Sequence, residues 1–197
     1  MDHAIVEPMG EARRRASYDD LIAVPEHLVA EIIDGELITS PRPAPPHALA
    51  YSGIGAALFD RFNGPLGGDA LAPGGWWILD EPELHLGDDV LVPDLAGWRR
   101  ERMPQLPEIA YFTLAPDWLC EVISPSSGQL DRVKKMPVYA REGVGHVWLV
   151  DPIERTIEVS RLDGDRWVVE PAPAGDAPAR VTPFADVEID PRRWWAD

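Results

Sequence analysis

The run WLCEVIS, beginning at Trp118, constrains this chain more than any other stretch. It is apolar at nearly every position except Glu121, the pattern of a strand buried on both faces. A second such run, HVWLVDP, begins at His146. Between them, SPSSGQ turns the chain into a helix from Leu130 to Glu142, closed by Gly143. Pro137 falls inside that helix and removes one backbone donor, so the helix starts late or kinks. A strand, helix, strand unit fed by hairpins implies an α/β architecture on a mixed sheet. Three apolar runs around this unit each carry an acid: Asp94 in VPDLAGW, Glu121 in WLCEVIS and Asp151 in HVWLVDP. Burying a carboxylate is costly unless it is paired or bound to a metal.

Upstream, VAEIIDGELITS reads as a hairpin whose two turn residues, Asp34 and Gly35, suit a type I′ turn. By alternation Glu31 shares a face with Ile33, so a core-facing Glu31 is a candidate for metal or acid–base work. SYDDLIAVPEH is a short helix with Ser17 as N-cap, ended by Pro25. PRPAPP reads as an extended linker. After it, Leu49, Ile54, Leu58 and Phe62 mark one face of an amphipathic helix. His47, near the start of that helix, reads as a surface or capping residue, with a functional role as the alternative. WWILDEPELHLGDDVLVPDLAGW gives two strands joined at Gly87-Asp88. The loop after it, with three prolines, is either a flap or a packed meander. A second hairpin turns across Asp163-Gly164. Residues 1–16 read as a mobile lead-in and 17–197 as one domain with a proline-rich tail from 171, whose Trp194 and Trp195 dock onto the body or a second subunit.

No apolar run approaches the roughly 18 residues needed to span a bilayer, and the first residues lack the continuous apolar core of a secretory signal. Cys120, the single cysteine, excludes an internal disulfide and reads as a core thiol, so the cytoplasm is the natural compartment. The net charge of −16 opposes long-range attraction to nucleic acid. A nucleic-acid role therefore calls for clustered base, a divalent cation or a partner subunit. Arginines do cluster, at 13–15, at Arg99, Arg100 and Arg102, and at Arg192 with Arg193, although such clusters are most often solvated surface.

If the strands bearing Asp94 and Glu121 are neighbours, their carboxylates can bracket one Mg²⁺, with Glu31 completing the shell from the hairpin. Such a metal polarises a phosphodiester and lowers the pKa of bound water, and a nearby lysine steadies the developing charge. Asp131 and Lys135 are four residues apart, so they share a helix face with Tyr139, while Lys134 points about a quarter turn away. The plain alternative is an ordinary i, i+4 ion pair.

The series EIIDGEL, VPDLAGW, WLCEVISPSS, DRVKKMPVYAREGV and HVWLVDP, followed by a charged hairpin, resembles the Uma family of restriction endonucleases within the PD-(D/E)XK nuclease superfamily. The resemblance covers residues 17 to about 162. It implies a restriction-endonuclease-like fold, Mg²⁺ (with Mn²⁺ as substitute) as cofactor, DNA as substrate and a homodimer. It assigns Asp94 as the PD aspartate, Glu121 as the second acidic residue and Glu31 as the glutamate from an early element. The superfamily lysine, expected two residues after Glu121, is replaced by Ile123. That makes Lys135 the candidate lysine, with Lys134 in reserve. Two other readings compete: a catalytically silent interaction module on the same scaffold, and a metal-dependent hydrolase of a small phosphoester.

Overall fold

The computed structural model describes residues 14–67, 72–123, 128–172 and 175–196. Most of the 1–16 lead-in, the SPSS turn and Arg13 therefore lie outside the described residues. The elements run α1 (Tyr18–Ile22), β1 (Leu28–Ile33), β2 (Glu36–Pro41), α2 (Pro45–Phe62), β3 (Trp76–Asp80), β4 (Leu84–Leu86), β5 (Asp89–Leu91), β6 (Leu95–Arg99), β7 (Trp118–Val122), α3 (Gly128–Leu130), α4 (Met136–Arg141), β8 (His146–Asp151), β9 (Thr156–Asp163) and β10 (Arg166–Glu170). Among the described residues the strands form two sheets, ordered β2-β1-β5-β4 and β10-β9-β8-β7-β6-β3. In the larger sheet β7 and β8 are parallel and every other pair is antiparallel. This is the mixed sheet flanked by helices, with hairpins at either end, that the sequence implies.

The strand pair β7–β8 is covered on both sides. Trp118, Cys120, Val122, Trp148 and Val150 face a core shared with α2 and the C-terminal segment. Leu119, Ile123, Val147 and Leu149 face a second core shared with α4 and the smaller sheet. Cys120 is wholly buried, and burial pushes its thiol well above the usual range, with Asp94 and Glu121 adding to the rise. Native protein should therefore leave Cys120 unlabelled by a thiol reagent over minutes, while unfolded protein reacts fully. Rapid labelling of the native form would contradict this placement.

Several local expectations change. The first hairpin does turn at Asp34 and Gly35, both at positive φ (52° and 82°). The second turns at Gly164-Asp165, one residue later than its spacing suggests, because Asp163 still pairs with Arg166. Residues 76–99 form four strands, not two: Glu81, at φ 43°, and Pro93 break the run, and the middle pair, β4 and β5, belongs to the smaller sheet. Pro45 and Pro46 open α2 and do not extend a linker; proline at a first helical turn loses no bond the helix would have made. The buried stripe of α2 is Ala50, Ile54, Leu58 and Phe62, and Leu49 is exposed.

Gly53 lets the C-terminal segment close on α2: a Cβ there would lie 2.9 Å from Trp194 Cδ1. Trp194 and Trp195 are accordingly buried against their own chain, with Val181, Phe184, Val187 and Ile189 in the same core. The three-proline loop is a packed meander, in which Phe112 bridges to Leu84 and stacks on Trp98. At the start of the described chain, Ala16 N donates to Gly35 O, docking the end of the lead-in on the hairpin.

A buried carboxylate–lysine cleft

Between α3 and α4 the helix widens into a π turn, Asp131–Lys135, directly before Pro137. The expected break at Pro137 takes this form, an extra residue absorbed where a donor is missing. The turn aligns Asp131, Lys135 and Tyr139 against the larger sheet, all three buried, and leaves Lys134 exposed to pair with Glu36. Lys135 Nζ lies 3.0 Å from Glu31 Oε1, 3.2 Å from Glu121 Oε1 and 3.6 Å from Asp131 Oδ1. Tyr139 donates its hydroxyl to the same Glu121 oxygen at 2.5 Å.

Each acid is placed by a break in a strand. Glu31 faces the break after β5, where Val92 N has no strand partner and donates to Glu31 Oε1 at 2.9 Å. Asp94 follows Pro93 at the mouth of β6. The pairing of Leu95 with Cys120 sets Asp94 beside Glu121 at the next step, and Val122 N donates to Asp94 Oδ2 at 2.7 Å. Glu121 sits within β7, turned toward the same side as Leu119 and Ile123. His47, from the first turn of α2, is no cap, since Ala44 holds that position. Its Nε2 lies 3.1 Å from Asp94 Oδ2.

Glu31, His47, Asp94, Glu121, Asp131 and Lys135 all line one cleft with a cavity volume of about 690 Å³. The other walls are mostly apolar, including Val29, Val92, Ile123, Leu130 and Ile153, with Arg42 an exposed cation. Asp151 does not reach it; its carboxylate accepts from Ile153 N and Glu154 N and caps the turn after β8. Arg42 and Glu81 also line the cleft without any signal in the sequence pattern, because they sit in short irregular connections.

The electrostatics follow from three carboxylates around one ammonium, with Asp94 beside Glu121. Desolvation alone would discharge Lys135, but Glu121, Glu31 and Asp131 outweigh it and hold the amine well above its usual range, hence protonated. Glu121 is pushed well up by burial; Lys135 opposes this, while Asp131, Asp94 and Glu31 add to it. Burial likewise raises Tyr139, so its phenol stays a donor. Desolvation pulls His47 down, but the Asp94 hydrogen bond and charge more than offset it and the net shift is upward.

Among the described residues no three His, Cys, Asp or Glu side chains are gathered closely enough to enclose a metal ion by themselves. Mg²⁺ asks for less, since one or two carboxylates with water and phosphate oxygens suffice. The donors here are hard oxygens in negative surplus, which matches that class of cation.

Among the described residues the clustered arginines do not line the cleft. Arg99 ends β6, about 16 Å from Asp94 at ~3.3 Å per residue, and Arg100 follows it in the turn. They lie over the rings of Trp76 and Trp77, at 4.5 and 3.3 Å. Arg102 pairs with Asp117 and Arg192 with Asp190.

Fold and cleft together describe a nuclease-like α+β protein. Residues 16–192 match the Uma2 family, described as "Putative restriction endonuclease", and the chain belongs to that family. In structure it is similar to a putative nuclease belonging to DUF820 from Anabaena variabilis, at TM-score 0.70 and 24% identity, covering 91% of this chain and 97% of that one. No curated protein matches the chain. No described helix is long and apolar enough to cross a membrane.

Proposed function

We propose that the cleft hydrolyses phosphodiester bonds of DNA with Mg²⁺ as cofactor, Mn²⁺ substituting. The observation that carries this reading is the buried Lys135 ammonium, held among Glu31, Glu121 and Asp131 on a cleft that Asp94 also lines. Asp94 and Glu121 would hold the cation, with Glu31 contributing from β1. When bound, the cation supplies charge neutralisation at the phosphate and a lowered pKa for a coordinated water.

The chain's own groups do the rest. Lys135 is kept protonated by its three carboxylates and serves the negative charge that builds on the phosphate oxygens. Tyr139 fixes the Glu121 carboxylate through Oε1, so that the acid does not swing when substrate enters. The apolar walls keep bulk water from the reacting centre. A cut through both strands of a duplex calls for two such clefts, so the working unit proposed is a homodimer.

One observation favours a second reading, a metal-dependent hydrolase of a small phosphoester: among the described residues, Arg42 and Lys135 are the lysines and arginines that line the cleft. A long polyanion gains little there. The test is incubation at low salt with supercoiled plasmid, single-stranded circular DNA and bis(4-nitrophenyl) phosphate, each with Mg²⁺, Mn²⁺ or chelator. Metal-dependent strand breakage is the expected result. Turnover of the small ester with both DNAs intact would transfer the assignment to the second reading. Inertness toward all three would contradict both and favour a catalytically silent module.

A further inference from the structure

We infer that His47 is a positioning residue for the same site, holding Asp94 in the orientation that receives the cation. The inference rests on the reading of Asp94 as a cation ligand. Its starting point is that Asp94 takes two hydrogen bonds on one oxygen. Val122 N donates to Oδ2 at 2.7 Å and His47 Nε2 meets the same atom at 3.1 Å, which leaves Oδ1 for a ligand in the cleft. A carboxylate at the mouth of a strand, after Pro93, has freedom about its side-chain torsions that one backbone bond does not remove. The imidazole adds a second constraint from a separate element, since it comes from α2 and not from the sheet.

Four features show a built contact. The side chains of His47 and Asp94 are 16% and 13% exposed, so the pair is largely withdrawn from solvent. Pro45 and Pro46 preset the first turn of α2 and fix where His47 emerges. The helix is in turn clamped by Ala50, Ile54, Leu58 and Phe62 in the core and by Trp194 against Gly53. Nδ1 of His47 is buried and makes no hydrogen bond among the described residues, so the ring's one side-chain hydrogen bond is that of Nε2 to Asp94, with the Val122 backbone close beside it. Partners behind a metal-ligating group orient it, and losing one typically lowers metal affinity by about 10–100-fold.

The experiment is calorimetric titration of Mn²⁺ into wild type, His47→Ala, His47→Gln and Asp94→Asn, with circular dichroism to establish that each is folded. His47→Gln keeps an N–H where Nε2 stood, so it should restore most of the affinity that His47→Ala loses. The expected result is a roughly 10–100-fold weaker Kd for His47→Ala, near-wild-type binding for His47→Gln and no binding for Asp94→Asn. Unchanged affinity in folded His47→Ala, or equal loss in His47→Gln, would overturn the positioning role while leaving the cation site intact. Absence of binding by the wild type would overturn the underlying reading, and this inference with it.

Discussion

Replacing Lys135 by methionine is expected to destabilise the protein by about 3–5 kcal/mol, because it leaves buried carboxylates without their cation. Glu31, Glu121 and Asp131 all meet the ammonium within 3.6 Å, and each is almost wholly buried. In a chain of this size such a loss lowers Tm by on the order of 10 °C. The same substitution should abolish hydrolysis, since no other lysine lines the cleft. Lys134→Met is the internal control. Lys134 is exposed and pairs with Glu36 at the surface, where an ion pair is worth roughly 0–1 kcal/mol. Thermal melts of both variants check the prediction, and equal melting temperatures would show that Lys135 carries no special burden.

Glu121→Gln should do the opposite to stability while also ending activity. Three carboxylates crowd one ammonium, and Glu121 is the one on which burial and the charges of Asp131, Asp94 and Glu31 converge. Glutamine keeps an oxygen for Lys135 and Tyr139 and removes one negative charge. Metal-free protein should therefore gain on the order of 1 kcal/mol, about 2–4 °C in Tm. Asp94→Asn should change stability little, because the one oxygen that Val122 N and His47 Nε2 share can be kept while the amide nitrogen takes the place of Oδ1. Both variants should lose activity by more than the ~10–100-fold that follows loss of an outer partner. Melts with and without Mg²⁺ separate this from a structural ion pair, for which Glu121→Gln would lower Tm and added metal would change nothing.

The contrast between these variants reflects how the site is encoded. WLCEVIS announces a two-sided strand because every residue from Trp118 to Ile123 except Glu121 is apolar, so Glu121 stands out. Lys135 is readable through its spacing from Asp131 and Tyr139. The π turn that delivers the lysine has no signature beyond Pro137, since a single extra residue in a helix leaves no period. The smaller sheet is hidden for a related reason: β4 and β5 are three residues each, too short for alternation to register. Pro45-Pro46 reads equally well as an extended linker or as the first turn of a helix, and packing against the core decides it.

The packing of the C-terminal segment is harder still to read. Val181, Phe184, Val187, Ile189 and Trp194 are buried one at a time from irregular chain, so no window shows a pattern. The tie between His47 and Asp94 joins residues 47 positions apart and depends on how α2 packs on the sheet. Sequence spacing carries no trace of it.

The most direct test of the central claim is cleavage of DNA by wild type, Asp94→Asn and Lys135→Met side by side, with Mg²⁺ and with chelator. The account predicts strand breakage by wild type only when the metal is present, and none by folded forms of either variant. Metal-independent cleavage by the wild type, or undiminished cleavage by either variant, would contradict it.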